Sequence, residues 1–300
     1  MEYGTYYLCA GLSVLAGCAA AAMGFKKHGI GAKAAGLCVL CAFVFGTLGA
    51  RVYYIVCYHL PGAGMMGRPF VSDKPYEYAA CGAVLGVMAG CAFGARLSFL
   101  RAGKALDILA PGALAALALE RVSEVFADSA WGVEIMDERW QFFPIAVRDA
   151  YGDYYGAVNL LEATLTLAVL FVFLRMRPRR DGARFALSLL WWSMGQILCE
   201  SLRDETLRWG FVRVQQVQCA VFGAAVLLWA LKHVRGMARV NLPGVYLAGV
   251  GAVVALEFAL DKLSWPGWLD YALMALALLC MGAAVHAAVR AGERQPVPRE

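Results

Sequence analysis

The sequence predicts an all-α polytopic membrane protein, a seven-span core followed by a C-terminal transmembrane hairpin. Three observations carry this. Hydrophobic residues make up 61% of the 300 residues and charged ones only 16%, with a mean hydropathy of +0.61. Burial in lipid accommodates that much apolar surface at so low a charge; a water-soluble domain does not. Apolar runs near the roughly 20 residues needed to cross a bilayer recur along the whole chain, and the charge between them alternates from loop to loop.

The runs fall at about 5–25, 34–58, 77–98, 105–126, 157–175, 184–202, 213–232, 244–262 and 268–289. The first begins almost at Met1 with no basic stretch ahead of it, so it reads as a retained span. The second carries Arg51 and Tyr54 within Gly49-Ala50-Arg51-Val52-Tyr53-Tyr54. The fourth opens on Asp107 and Pro111 and closes on Glu120, Arg121 and Glu124, which predicts a short, tilted or partly re-entrant segment. The fifth opens Asn159-Leu160-Leu161-Glu162, and the sixth ends with Gln196, Glu200 and Arg203 on one helical face. Gln215-Gln216-Val217-Gln218 begins the seventh. Domain boundaries follow: a core over 1–235, a two-span hairpin over 236–292, and a disordered tail over 293–300 containing Pro296 and Pro298. No internal repeat suggests a transporter built from two related halves.

Basic residues cluster after spans one, three, five and seven, for example Lys26 and Lys27, or Arg177, Arg179 and Arg180. The intervening loops are neutral or acidic, and the positive-inside rule then sets the N-terminus outside and the C-terminus in the cytoplasm. The long acidic loop 127–156, with Trp131, Trp140, Phe142, Phe143, Tyr151, Tyr154 and Tyr155, reads as an ordered cap on the outer face. The net charge of +5 resides in short loops, which is no nucleic-acid signature. Ten cysteines, Cys38 and Cys41 among them, lie in or beside apolar runs and read as small packing residues, so neither metal nor cofactor is expected.

Polar groups inside spans are costly and mark functional sites. By the expected topology Arg51, Arg121, Glu162, Gln196, Glu200, Arg203 and Gln216 reach one depth in the outer half of the bundle. Two readings stay open. The carboxylates favour structural ion pairs. For Arg51 and Arg121 an excess of positive charge implies an anion, and a guanidinium fork suits a phosphodiester because it bonds two oxygens at once.

The motifs themselves resemble those of bacterial prolipoprotein diacylglyceryl transferase. "DILAPG…ERVSEVF" is similar to that family's "D-x-x-A-P-x…G-R-x-G-N-F" signature and "GARVYY" to its second-span motif. "NLLEATLTLAVLFVFL…RPRRDGARFALSLLWWSMGQILCESLRD" resembles its "Q-L-Y-E…R-x-R-P-x-G…R-F-x-x-E-x-x-R" region. Tyr3-Gly4 stands where the family has a tyrosine-glycine pair, and "YAACGAVLGV" resembles "S-F-H-G-G-x-x-G". The likeness covers about residues 3 to 232; spans eight and nine are an addition.

The resemblance implies transfer of the diacylglyceryl group of phosphatidylglycerol onto a lipobox cysteine of a secreted precursor, in the bacterial plasma membrane. It assigns Arg121 to the lipid phosphate, with Arg51, Arg203, Gln216, Tyr3, Tyr54, Cys81 and Asn159 around the substrate. Gln196, Glu200, Glu162 and Glu124 complete the expected catalytic set. The chain departs from the family where its histidine is Cys81, its sixth-span arginine is Gln196 and its asparagine is Glu124. Cys81 does not substitute for a histidine as a proton carrier near neutral pH. Glu124, Glu162 or His59 would then serve as base, which implies an altered base or acceptor. The expected partners are an anionic phospholipid, a protein or small-molecule acceptor, and a subunit docking on spans eight and nine. A non-catalytic lipid-binding relative is the alternative reading.

Overall fold

The computed structural model describes residues 3–59, 77–127, 131–149, 151–204, 206, 208–209, 212–234, 237–262 and 267–294. His59 ends a helix, but its side chain lies outside the described set. Long helices dominate: α1 (Gly4–Lys27), α2 (Ala32–His59), α3 (Ala80–Leu97), α4 (Ala102–Ser123), α5 (Val158–Leu174), α6 (Ala183–Leu202), α7 (Val214–Leu231), α8 (Met237–Lys262) and α9 (Gly267–Arg294). Among the described residues, 7 helices are long and apolar enough to cross a membrane. The chain is a multi-pass membrane protein. Outside that set are α5, an apolar helix of 17 residues, and α6. The reason for α6 is its place in the bundle, packed among α4, α5, α7 and α9. Its Ser188, Ser193, Gln196, Glu200 and Ser201 are all buried. Neighbouring helices, not lipid, surround its polar groups, which is where a spanning helix tolerates them.

Against the expectation of a short or re-entrant segment, α4 is continuous through Pro111. The proline removes the helical donor to the Asp107 carbonyl, and Arg184 Nη1 donates to that oxygen at 3.3 Å instead. The Asp107 carboxylate accepts from the backbone N–H groups of Gly182 (2.7 Å) and Phe185 (2.8 Å). These open α6, so one helix caps another and fixes its register.

Small residues let the first four helices approach closely, the packing mode available where lipid offers no hydrophobic drive between helices. The pair α2 and α3 shows it best: a Cβ on Gly86 would collide with the Phe45 carbonyl, and one on Gly90 with that of Cys41. These helices enclose a core of Ala21, Phe25, Cys38, Ala42, Cys91 and Ala95. A second, bulkier core joins α6, α7 and α9 through Leu187, Leu190, Phe222, Met274, Met281 and Val285. The C-terminal hairpin α8–α9 is therefore packed into the bundle. Helix α9 takes in residues 293 and 294, assigned above to a disordered tail. Glu293 is buried and accepts from Arg179 N at 3.0 Å; residues 295–300 lie outside the described set.

Between α4 and α5, strands β1 (Ala146–Arg148) and β2 (Tyr154–Gly156) pair antiparallel. Gly132 bridges to Arg203 at the end of α6, and Trp131 stacks on Tyr155. This segment covers the end of the bundle where α1 begins, termed the cap end below.

Candidate functional site

At the cap end a connected set of polar side chains runs from α1 to α8. Its centre is Arg121, on the last turn of α4 and buried. Arg121 Nη1 donates to Glu124, the i,i+3 neighbour. Its Nε lies 2.7 Å from Glu162 Oε1 and 3.7 Å from Glu120 Oε2. The approach to Glu162 is off the N–H axis, an ion pair without a hydrogen bond. The other Glu162 oxygen accepts from Arg203 Nη2, and Arg203 Nη1 stands 3.7 Å from Glu200 Oε2. Tyr6 Oη donates to Glu120 at 3.1 Å. Asn159 Nδ2 donates to the Arg121 carbonyl at 3.4 Å.

Toward α7, Gln216 Nε2 lies 2.7 Å from Ser201 Oγ, 3.2 Å from the Ile197 carbonyl and 2.6 Å from Glu257 Oε1. Arg213 Nη1 donates to the carbonyls of Glu200 and Arg203.

The structure thus brings together Arg121, Glu124, Asn159, Glu162, Glu200, Arg203 and Gln216. It corrects the expected charge balance. Glu120, Glu124, Glu162 and Glu200 surround Arg121 and Arg203, so among the described residues carboxylates exceed guanidiniums and leave no surplus positive charge. Arg51 has other partners: Nη1 donates to the Glu77 carboxylate at 2.7 Å and carbonyl at 3.1 Å. The rings of Tyr54 and Tyr78 lie 5.7 and 5.9 Å from its guanidinium carbon, within cation–π range. Tyr3 precedes α1 with no side-chain cap hydrogen bond; the tyrosine that enters the network is Tyr6. Cys81 is buried with Sγ 3.8 Å from Cys219 Sγ and 3.9 Å from Gln215 Oε1.

Gln196 is 1% exposed, and neither amide atom finds a partner among the described residues. With Glu162, Thr166, Trp191, Trp192 and Gly195 it lines a cavity of about 10 Å³, near the least that admits a water. The Glu200 oxygens likewise accept no hydrogen bond among the described residues. Unpaired polar atoms in a dry interior are costly, so Gln196 and Glu200 are groups with bonding capacity still to offer.

Sequence reasoning passed over Tyr6, Glu77, Ser201, Arg213 and Glu257. Glu257 had a signal: a carboxylate inside span eight, away from its ends, meets the same lipid-cost criterion that singled out Glu162.

The profile of the prolipoprotein diacylglyceryl transferase family matches residues 1–232. The chain belongs to this family. Among proteins named phosphatidylglycerol–prolipoprotein diacylglyceryl transferase, that of Leifsonia xyli subsp. xyli is 28% identical over 232 residues, covering 70% of this chain and 68% of the relative. That of Lactobacillus johnsonii is 27% identical over 233 residues, with 71% and 78% covered. The diacylglyceryl transferase match holds every side chain of the network except Glu257, because it ends before α8.

Proposed function

We propose that the chain is a phospholipid-dependent transferase of the diacylglyceryl transferase type, working at the extracytoplasmic side of a bacterial plasma membrane. The cap end is the outer end in this reading, with the N-terminus outside and the C-terminus cytoplasmic. Alternation of basic loops supports that orientation. The donor is phosphatidylglycerol, the lipid in the relatives' names. The acceptor is a nucleophile presented from outside, such as a thiol.

One observation carries the reading: a buried arginine, Arg121, is held on two sides by Glu124 and Glu162. A phosphodiester is the anion such a fork accepts best. With carboxylates already on the guanidinium, lipid binding becomes an exchange in which the phosphate takes the place of one carboxylate. Glu124 is the partner to be displaced, since it lies in the short 3-10 turn just past α4 while Glu162 is also tied to Arg203. A displaced carboxylate beside the reacting carbon is a general base. The acceptor's S–H proton passes to it, the S–C bond forms at the glycerol carbon, the C–O bond to phosphate breaks, and glycerol phosphate leaves as an anion stabilised by Arg121. This path needs no histidine, in keeping with Cys81 packed against Cys219.

The test is purified protein in nanodiscs with phosphatidylglycerol and a cysteine peptide, followed by release of glycerol phosphate. Release that Arg121→Ala abolishes supports the reading; absence of release with every thiol acceptor offered sinks it.

A further inference from the structure

The C-terminal hairpin lies beyond the family match, yet it delivers a carboxylate into the cap-end network. We propose that Glu257 of α8 is a positioning residue for the transfer site, holding the last turn of α6 in place. The inference rests on the transferase reading above.

Glu257 divides its oxygens between two holders of that turn. Oε1 accepts from Gln216 Nε2 at 2.6 Å and from Ser201 Oγ. Oε2 faces Arg213 Nε at 3.5 Å. Arg213 in turn donates to the carbonyls of Glu200 and Arg203, the latter at 3.0 Å. Carbonyls at a helix C-terminus have no partner within the helix and must find one elsewhere. Gln216 reaches the Ile197 carbonyl and the Ser201 hydroxyl from the other side. A single side chain on α8 therefore fixes the α6 terminus by two routes. That terminus carries Glu200 and Arg203, and Arg203 fixes Glu162 against Arg121. For a hairpin serving only as an anchor, an apolar residue would suffice at 257, without the cost of a carboxylate in a span.

The experiment compares Glu257→Ala, Glu257→Gln and Glu257→Asp in the full chain in nanodiscs. Two readouts are taken: amide hydrogen exchange over 197–204, and kcat and KM for phosphatidylglycerol per folded molecule. Alanine is expected to speed exchange in that segment about tenfold, as a local opening does. It should lower kcat by about tenfold or more, the order of cost of a misplaced group, with KM nearly unchanged. Glutamine keeps an acceptor for Gln216 but loses the pair with Arg213, and should fall between. Aspartate should recover most of the rate. Unchanged exchange at 197–204 overturns the proposal whatever the rate does. Exchange that rises equally throughout the bundle, or equal loss in all three variants, overturns it too. A wild type without turnover defeats the transferase reading, and the exchange arm alone then decides whether Glu257 holds the α6 terminus.

Discussion

Arg121 Nε stands 2.7 Å from Glu162 Oε1, with both side chains almost wholly buried. The second oxygen of the same carboxylate takes Arg203. One acid on α5 thus joins the C-terminal ends of α4 and α6, and three helices share a single ionic junction. Burial makes that junction costly to break from one side.

Glu162→Gln keeps shape and volume but leaves two buried guanidiniums with one negative partner fewer. Breaking a buried pair from one side costs about 3–5 kcal/mol. Unfolding of the variant in mixed micelles titrated with SDS should show a loss of that order. A loss under about 1 kcal/mol, the worth of an exposed pair, would mean that the junction contributes little.

Arg121→Lys retains the charge and loses the fork. If the guanidinium stabilises the departing glycerol phosphate, kcat should fall by about 10²–10³, the usual cost of removing one transition-state donor. Steady-state release of glycerol phosphate reads this directly; a lysine variant at wild-type rate would place the phosphate elsewhere.

Gln196→Leu removes an amide with no partner among the described residues. Stability should hold or rise by about 1 kcal/mol, since a buried unpaired polar group is lost. Turnover should fall if that amide meets the substrate. Paired SDS-unfolding and rate measurements separate the two effects, and an unstable variant would show that Gln196 is satisfied in the folded bundle.

Gly86→Ala puts a methyl group against the Phe45 carbonyl on the neighbouring helix. Overpacking of this kind costs about 1–3 kcal/mol. Gly36, with nothing within 4 Å of its would-be Cβ, is the control: Gly36→Ala should be neutral or stabilising by about 0.5–1 kcal/mol from helix propensity. Equal effects at the two positions would contradict close α2–α3 packing.

Expressed in a bacterium depleted of its own prolipoprotein diacylglyceryl transferase, the chain should not restore growth. The expectation rests on Cys81 and Gln196 standing where the resemblance places a histidine and an arginine, so that a site working through Glu124 takes a different acceptor. Rescue would show that neither group is needed for the ordinary acceptor.

The helical membrane class, the span positions and most residues of the network were legible in the chain itself. Lipid penalises unpaired polarity so heavily that Arg121, Glu162, Glu200 and Arg203 stand out against an apolar background. The helix period then sets which of them share a face. The placement of Asp107, Pro111 and the closing charges misjudged α4 as short or partly re-entrant, because Pro111 removes a hydrogen bond that Arg184, 73 positions later by number, replaces in kind.

Which groups need partners can be read along the chain; which partners they take follows from how the helices pack. Arg51 and Arg121 look alike in the chain, but the fold gives one to Glu77 and two tyrosine rings and the other to an acidic junction. Glu257 reaches α6 and α7 only because the hairpin folds back onto them. The difference is one of range. Hydrophobicity and helix period act over neighbouring residues, whereas ion pairs and hydrogen bonds act through space and follow the packing of helices that the sequence places far apart.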